Sequence, residues 1–244
     1  MKTCWLYLIL IGLLFQGCDD DDFCNCFENK GSDITETRML NDFNTLDMDN
    51  NVDIILTPDS TNYVEVTCGK NLMDGIRTEV SDGILKIKNV NRCNWLRDFK
   101  NKFTANIHFK SLQQINNYGS GNLTCADTLR PEYLMVDVKT GSGQLSFLLN
   151  GGEIYLKLHT GPGDIIASGK AGVLYLYSAG NGFLKTAGLE SEFVYLTTKS
   201  TGDCEVFAKY ELGVEILYNG DVYYKGAPPS IIPTITGSGK LIPF

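Results

Sequence analysis

The residues that could do chemistry are few, and they favour attachment over turnover. Cys18 closes the segment MKTCWLYLILIGLLFQGC, in which one early cation, Lys2, precedes an apolar run from Trp5 to Phe15. That run is too short to span a bilayer, so residues 1–17 are expected to be a signal peptide. Leu14-Phe15-Gln16-Gly17-Cys18 resembles a lipobox, where a small residue precedes the cysteine that is acylated and becomes the new N-terminus. Cys18 is therefore the expected lipidation site, and each methylene of an acyl chain would add roughly 0.8 kcal/mol of membrane affinity. A plain signal with an incidental cysteine is the competing reading.

Catalytic and metal chemistry find little support. The two histidines, His108 and His159, lie 51 residues apart in sequence, and Cys24-x-Cys26 lacks metal-ligand spacing. No metal, no cofactor and no catalytic residue is expected. Export would permit oxidation of Cys24, Cys26, Cys68, Cys93, Cys125 and Cys204. Their pairing stays open, with Cys125 and Cys204 read as small core residues. Asp137 and Asp164 are the nearest candidates for paired carboxylates, on opposite sides of a corner. His159 reads as a surface residue.

The charges divide the chain. Residues 18–36 form an acidic tether: Asp19, Asp20, Asp21, Asp22, Glu28, Asp33 and Glu36 face one base, Lys30. Cysteine followed by acids resembles the surface-export signal of lipoproteins in Bacteroides-like bacteria, with periplasmic retention as the alternative. Residues 37–244 hold 19 bases and 22 acids, so the net charge of −8 resides mostly in the tether. The acidic balance argues against a nucleic-acid partner, which wants a basic face. One local basic stretch carries Lys86, Lys88, Arg92, Arg97, Lys100, Lys102 and Lys110 around a single acid, Asp98, with Trp95 and Phe99 interleaved. Arg92, Arg97, Lys100 and Lys102 are candidates to bind an anionic glycan or lipid headgroup. A solvated insertion pinned by Trp95 is the plainer reading.

These residues must be positioned by a repeat. Of 25 glycines, 19 lie between Gly119 and Gly239, mostly as Gly-x-Gly. The second glycines, Gly121, Gly143, Gly163, Gly182, Gly202, Gly220 and Gly239, are separated by 22, 20, 19, 20, 18 and 19 residues. A period near 20 signals a solenoid. Counting by 20 gives two aliphatic columns: Leu134, Ile154, Leu174, Val194, Val214, and Val136, Leu156, Leu176, Leu196, Ile216. Two residues apart, they share one strand face. Each coil is read as a main strand, a glycine corner supplying positive φ and close stacking, and a second short strand such as Gln144–Phe147 or Asp164–Ala167. Residues 37–118 read as strands of weaker period, with a tight turn at Ser81-Asp82-Gly83, covering the open end.

The outward columns name a candidate surface. Met135, Tyr155, Tyr175, Tyr195 and Glu215 recur at steps of 20. They are flanked by Tyr133, Glu153, Val173, Phe193 and by Asp137, Lys157, Tyr177, Thr197. Tyr155, Tyr175, Tyr195, Tyr177 and Phe193 form the candidate interaction surface, because a contiguous apolar patch facing water marks an interface. The plainer reading is that tyrosine suits strands.

The order of apolar strands, Val80-Ser81-Asp82-Gly83-Ile84-Leu85-Lys86-Ile87, Leu112…Ile115…Gly119-Ser120-Gly121 and serial Gly-Ser-Gly coils resembles the family called putative auto-transporter adhesin, head GIN domain, over about residues 40–242. The resemblance implies an all-β, right-handed parallel β-helix on an exported or lipid-anchored bacterial protein, with no catalytic residues to carry over. It departs at Ser200, Tyr218 and Pro162, which touches only corner geometry. The domain expectation is 1–17 signal, 18–36 tether and 37–244 β-helix, divided into 37–118 and the regular coils 119–244. The functional expectation is an outer-membrane lipoprotein at the cell surface acting in adhesion or interaction. It would sit on the membrane through its N-terminal lipid, and a protein or glycan ligand and a second copy of the chain are its candidate partners. A periplasmic scaffold or envelope sensor is the alternative. A β-helix polysaccharide lyase or hydrolase is less favoured, because short coils leave no long loop to wall a cleft.

Overall fold

The computed structural model describes residues 29–91 and 102–244. Cys18, Cys24, Cys26, Cys93, Arg92, Arg97 and Lys100 lie outside the described residues. The chain winds into a β-solenoid with two parallel faces, its strands numbered along the sequence. The first face stacks, in order, β6 (Ile84–Asn89), β2 (Thr45–Met48), β8 (Gln114–Asn117), β10 (Tyr133–Val138), and the second halves of β11 (Gln144–Leu158), β12 (Asp164–Ser178), β13 (Leu184–Thr198) and β14 (Cys204–Ile216). It ends on β16 (Ser230–Ile235). The second face stacks β7 (Thr104–Phe109), β3 (Asp53–Pro58), β9 (Leu123–Cys125), the first halves of β11 to β14, β15 (Val222–Lys225) and β17 (Leu241–Pro243).

Two short strands were expected per coil. In the regular coils they are one long strand of 13 to 15 residues instead. In β11 the inward residues are Leu145, Phe147 and Leu149, then Ile154, Leu156 and Leu158. The alternation flips phase at Gly151-Gly152, where the strand bends while its ladder skips only Gly152. A parallel neighbour bending at the same place keeps the hydrogen bonds made.

The columns hold through four coils and then slip. Leu134, Ile154, Leu174 and Val194 continue into Leu212 and Ile231, not Val214. Val136, Leu156, Leu176 and Leu196 continue into Val214 and Pro233, not Ile216. The β13–β14 ladder shifts register between Lys185 and Glu190 and again between Ser191 and Phe193, shortening that coil by two residues. The 18-residue step from Gly202 to Gly220 is the trace of this in the sequence. Every column residue from Leu134 to Val214 is buried. Each burial contributes about 1.5–3 kcal/mol.

The corner glycines answer to space, not to φ. Among the Gly-x-Gly positions only Gly180 has a positive φ, 149°. A Cβ at Gly143, Gly182, Gly202 or Gly239 would lie 2.0–2.2 Å from the carbonyl oxygen of the glycine one coil before. The residue after the second glycine supplies a further link that the glycine count did not reveal. Asp53 Oδ1 accepts the backbone N–H of Asn122 (2.8 Å), Asn122 that of Gln144 (3.0 Å), Asp164 that of Phe183 (2.9 Å), Asp203 that of Asp221 (2.9 Å) and Asp221 that of Lys240 (2.7 Å). Short Asx side chains thus tie one coil to the next beside the corner.

Residues 37–118 do more than cover an end. Their strands β2–β3 and β6–β7 are themselves coils, placed out of chain order, so that β8 stacks directly on β2. β5 (Ile76–Ser81) then pairs antiparallel with β6 across Asp82 and Gly83, whose φ values of 53° and 76° fit a type I′ hairpin. β4 (Tyr63–Gly69) pairs antiparallel with β7, and β1 (Asp33–Met39) with β4.

At the opposite end β16 and β17 form the last edge among the described residues. Ile231 and Ile235 occupy inward columns there yet are exposed, with no described coil on them. Thr236 N–H donates to Ile216 O and Phe244 N–H to Tyr224 O. By strand alternation the backbone groups of Ile231, Pro233 and Ile235 in β16, and of Leu241 and Pro243 in β17, face the free edge. Both prolines therefore sit where the missing N–H would have invited another strand. The double substitution Pro233→Thr, Pro243→Thr is expected to restore both donors and make the protein self-associate. Sedimentation velocity over a concentration series would read this as a rising average mass, against a flat one for the parent chain.

Candidate functional site

The first face carries the predicted tyrosines on its outer side, because their alternation with the buried columns points them away from the core. The register is Gln114, Met135, Tyr155, Tyr175, Tyr195, Gly213, Ile232. Gly213 takes the step expected for Glu215, which moves to the next column beside Thr197. Tyr155 and Tyr175 stack with centroids 4.5 Å apart and planes 10° off parallel, and Tyr175 and Tyr195 at 5.4 Å and 25°. Tyr133 joins from the flanking column at 5.6 Å, tilted 47°. Such offset-stacked pairs add about 0.5–1.5 kcal/mol each beyond burial. Phe193 lies further along that same flanking column and meets Tyr210 at 5.9 Å.

Stacking has a chemical consequence. Rings that cover one another's faces present edges and hydroxyls outward. The ladder is thus a ridge, with no row of open platforms for sugar rings. The hydroxyls at its ends are held: Tyr155 donates to Glu153 Oε1 (2.5 Å) and Tyr195 to Glu211 Oε1 (2.9 Å). The Glu153 bond, aided by burial, pushes Tyr155 up to about 12, and the Glu211 bond raises Tyr195. Beside the ridge runs a groove of about 490 Å³, lined by Tyr155, Lys157, Tyr175, Tyr177, Tyr195 and Glu215 among others. That volume suits a small ligand or a few residues of a chain.

The paired-carboxylate candidates are not brought together. Asp164 accepts from Phe183 N–H and pairs with Lys185 at 3.2 Å. Asp137, on an outward column, is only 6% exposed because Lys139 and His159 close over it. His159 Nε2 lies 2.9 Å from Asp137 Oδ1, off the hydrogen-bonding direction, and its ring meets Tyr177 at 5.3 Å. Of the anion-binding candidates Lys102 alone is described, and it is exposed.

A second polar group escaped the sequence reading. His108 Nδ1 lies 2.9 Å from Asp59 Oδ2, its ring stacks on Tyr63 at 4.0 Å, and its Nε2 contacts Asn106 at 3.0 Å. The His108 bond holds Asp59 below the usual carboxylate range. These residues meet only through the β3–β7 and β4–β7 pairings, and no local spacing announces it. Among the described residues no group of three or more histidine, cysteine or acidic side chains is placed to hold a metal ion.

Cys68, Cys125 and Cys204 are free thiols. Cys204 faces the core as expected, and burial pushes it up to about 12. Cys125 is half-buried, and burial raises it and Cys68. Unfolded, cysteine and tyrosine lose their protons near 8.5 and about 10. The folded protein therefore holds more protons than the unfolded chain from those values up to about 12. Stability is full below that window and falls as pH rises through it. Thermal melts between pH 8 and 12 are expected to drop progressively, and Cys204→Ala is expected to flatten the lower part of the drop.

A family model, putative auto-transporter adhesin, head GIN domain, matches residues 42–228. The solenoid is similar to the crystal structure of a putative adhesin from Bacteroides fragilis, with a TM-score of 0.80 at 22% identity over 87% of this chain and 97% of that one. It is also similar to a putative lipid binding protein from Parabacteroides distasonis (TM-score 0.65, 20% identity, 87% and 98% covered) and to a putative adhesin from Parabacteroides merdae (TM-score 0.65, 18% identity, 88% and 98% covered). At these identities the likeness establishes the fold. No curated protein matches the chain.

Proposed function

Given that the chain belongs to the putative auto-transporter adhesin, head GIN domain family, we propose that it is a lipid-anchored protein of the cell surface that binds a partner through its tyrosine face. The single observation that carries this is the stacked row Tyr155, Tyr175, Tyr195 beside a groove of about 490 Å³ on an outer sheet face. Within one chain such a row needs only its own stacking. Its continuation into an open groove with Tyr177, Lys157 and Glu215 adds surface that the fold does not require. The ring edges favour an extended protein segment over stacked sugars. Cys18 would supply the anchor and the acidic tether the reach. The family and its structural relatives are named for adhesion and, in one case, lipid binding, and not for catalysis.

Protease shaving of intact cells tests the placement. The body is expected to be removed together with a known surface marker. Survival of the body while the marker is lost would favour the periplasmic scaffold. Turnover of an acidic polysaccharide by the purified protein would overturn the binding reading.

A further inference from the structure

The tyrosine ladder stops at Gly213, and what surrounds that step is specific. The outward residues of β14 here are Glu211, Gly213 and Glu215. Where the three preceding coils carry a tyrosine, this coil carries no side chain. Tyr195 leans over the gap, its Cδ1 2.9 Å from where a Cβ on residue 213 would sit, and is tethered on the Glu211 side by its hydroxyl. That leaves the groove open on the Glu215 side, between Tyr195, Thr197, Ile232 and Thr234. Thr197 Oγ1 donates to Glu215 Oε2 at 3.0 Å and fixes the carboxylate, while Oε1 takes no hydrogen bond among the described residues.

The groove is also polar along its length. Its cation, Lys157, sits at the far end, 3.4 Å from Met135 Sδ and 5.5 Å from the Tyr155 ring centroid. The Gly213 end has a carboxylate and aromatic rings without a cation among its lining residues. A compact ammonium stays strongly hydrated and would gain little from the ring wall. A planar guanidinium can lie against an aromatic ring and present two N–H groups to one carboxylate. Resting on the reading of this face as the binding face, we propose that the Gly213 step is a socket for an arginine side chain of a partner protein. The guanidinium would pack against Tyr195 and pair with Glu215.

The full-length protein in detergent, titrated into a fluorescein-labelled glycine-serine peptide carrying two arginines, tests this by fluorescence anisotropy. Saturable binding is expected, weakened at least tenfold when citrulline, the same shape without the charge, replaces arginine. Lysine in the same places is expected to bind more weakly than arginine. Glu215→Gln, which keeps the size, and Gly213→Val, which fills the step, should each weaken binding at least tenfold with unchanged circular dichroism. Equal binding of the citrulline or lysine peptide, wild-type binding by Glu215→Gln, or no saturable binding would overturn the socket. If removal of the tyrosines abolishes cell adherence while Gly213→Val and Glu215→Gln leave it intact, the socket falls and the binding face stands. If all of them leave adherence intact, both fall.

Discussion

Gly182→Ala is expected to destabilise the solenoid by about 3 kcal/mol or more, at or above the upper end of ordinary overpacking costs. The added Cβ would sit 2.0 Å from Gly163 O and 3.3 Å from Leu158 Cδ1. The first of these neighbours is backbone of the preceding coil and cannot rotate away. Relief requires the two coils to part at the corner, which stretches the parallel ladder on both sides of it. For a chain of this size the loss lowers the melting temperature by roughly 6 °C or more. Gly188→Ala is the internal control. Its Cβ would meet Ser168 Cβ at 3.3 Å and Ala167 O at 3.5 Å, and no positive φ opposes it. It is expected to change stability by less than about 1 kcal/mol. Calorimetry of both variants reads the contrast. Equal melting temperatures would mean that the corners do not need glycine for space.

The glycines and the aliphatic columns make the solenoid legible in the sequence, because a stacked coil repeats its inward positions at each turn. What was hidden follows from the same physics. A column counted at a fixed step cannot show a coil that loses two residues, so Leu212 and Gly213 were displaced by Val214 and Glu215. The glycine spacing did carry that deletion, in the step from Gly202 to Gly220. Positive φ was the wrong reason for most corner glycines, since extended backbone can turn there if nothing projects into the next coil. The out-of-order placement of β6–β7 beyond β2–β3 is a long-range pairing with no local mark.

The candidate site was legible in part for a related reason. Tyr155, Tyr175 and Tyr195 share one column, and the structure stacks them. The sequence could not say that stacking would turn their faces inward on one another. Nor could it pair Tyr155 with Glu153 and Tyr195 with Glu211, because those bonds depend on which way each ring leans. Asp137 shows the limit from the other side. Its position in an outward column is as read, yet Lys139 and His159 bury it.

The central claim is that the tyrosine face meets a partner. Replacing Tyr155, Tyr175 and Tyr195 together with serine removes two stacked pairs and the tilted Tyr133–Tyr155 contact, worth about 0.5–1.5 kcal/mol each beyond the area the rings bury. The rings lie on the outer face and leave the buried aliphatic columns untouched, so the fold should survive. The hydroxyl row and the groove wall are lost with the rings. The most direct measurement is adherence of cells that display the triple variant at the same surface density as the parent protein, with the soluble proteins compared by circular dichroism. Adherence is expected to fall at least tenfold with the fold intact. Unchanged adherence with an intact fold would contradict the claim and leave the ladder a structural stack.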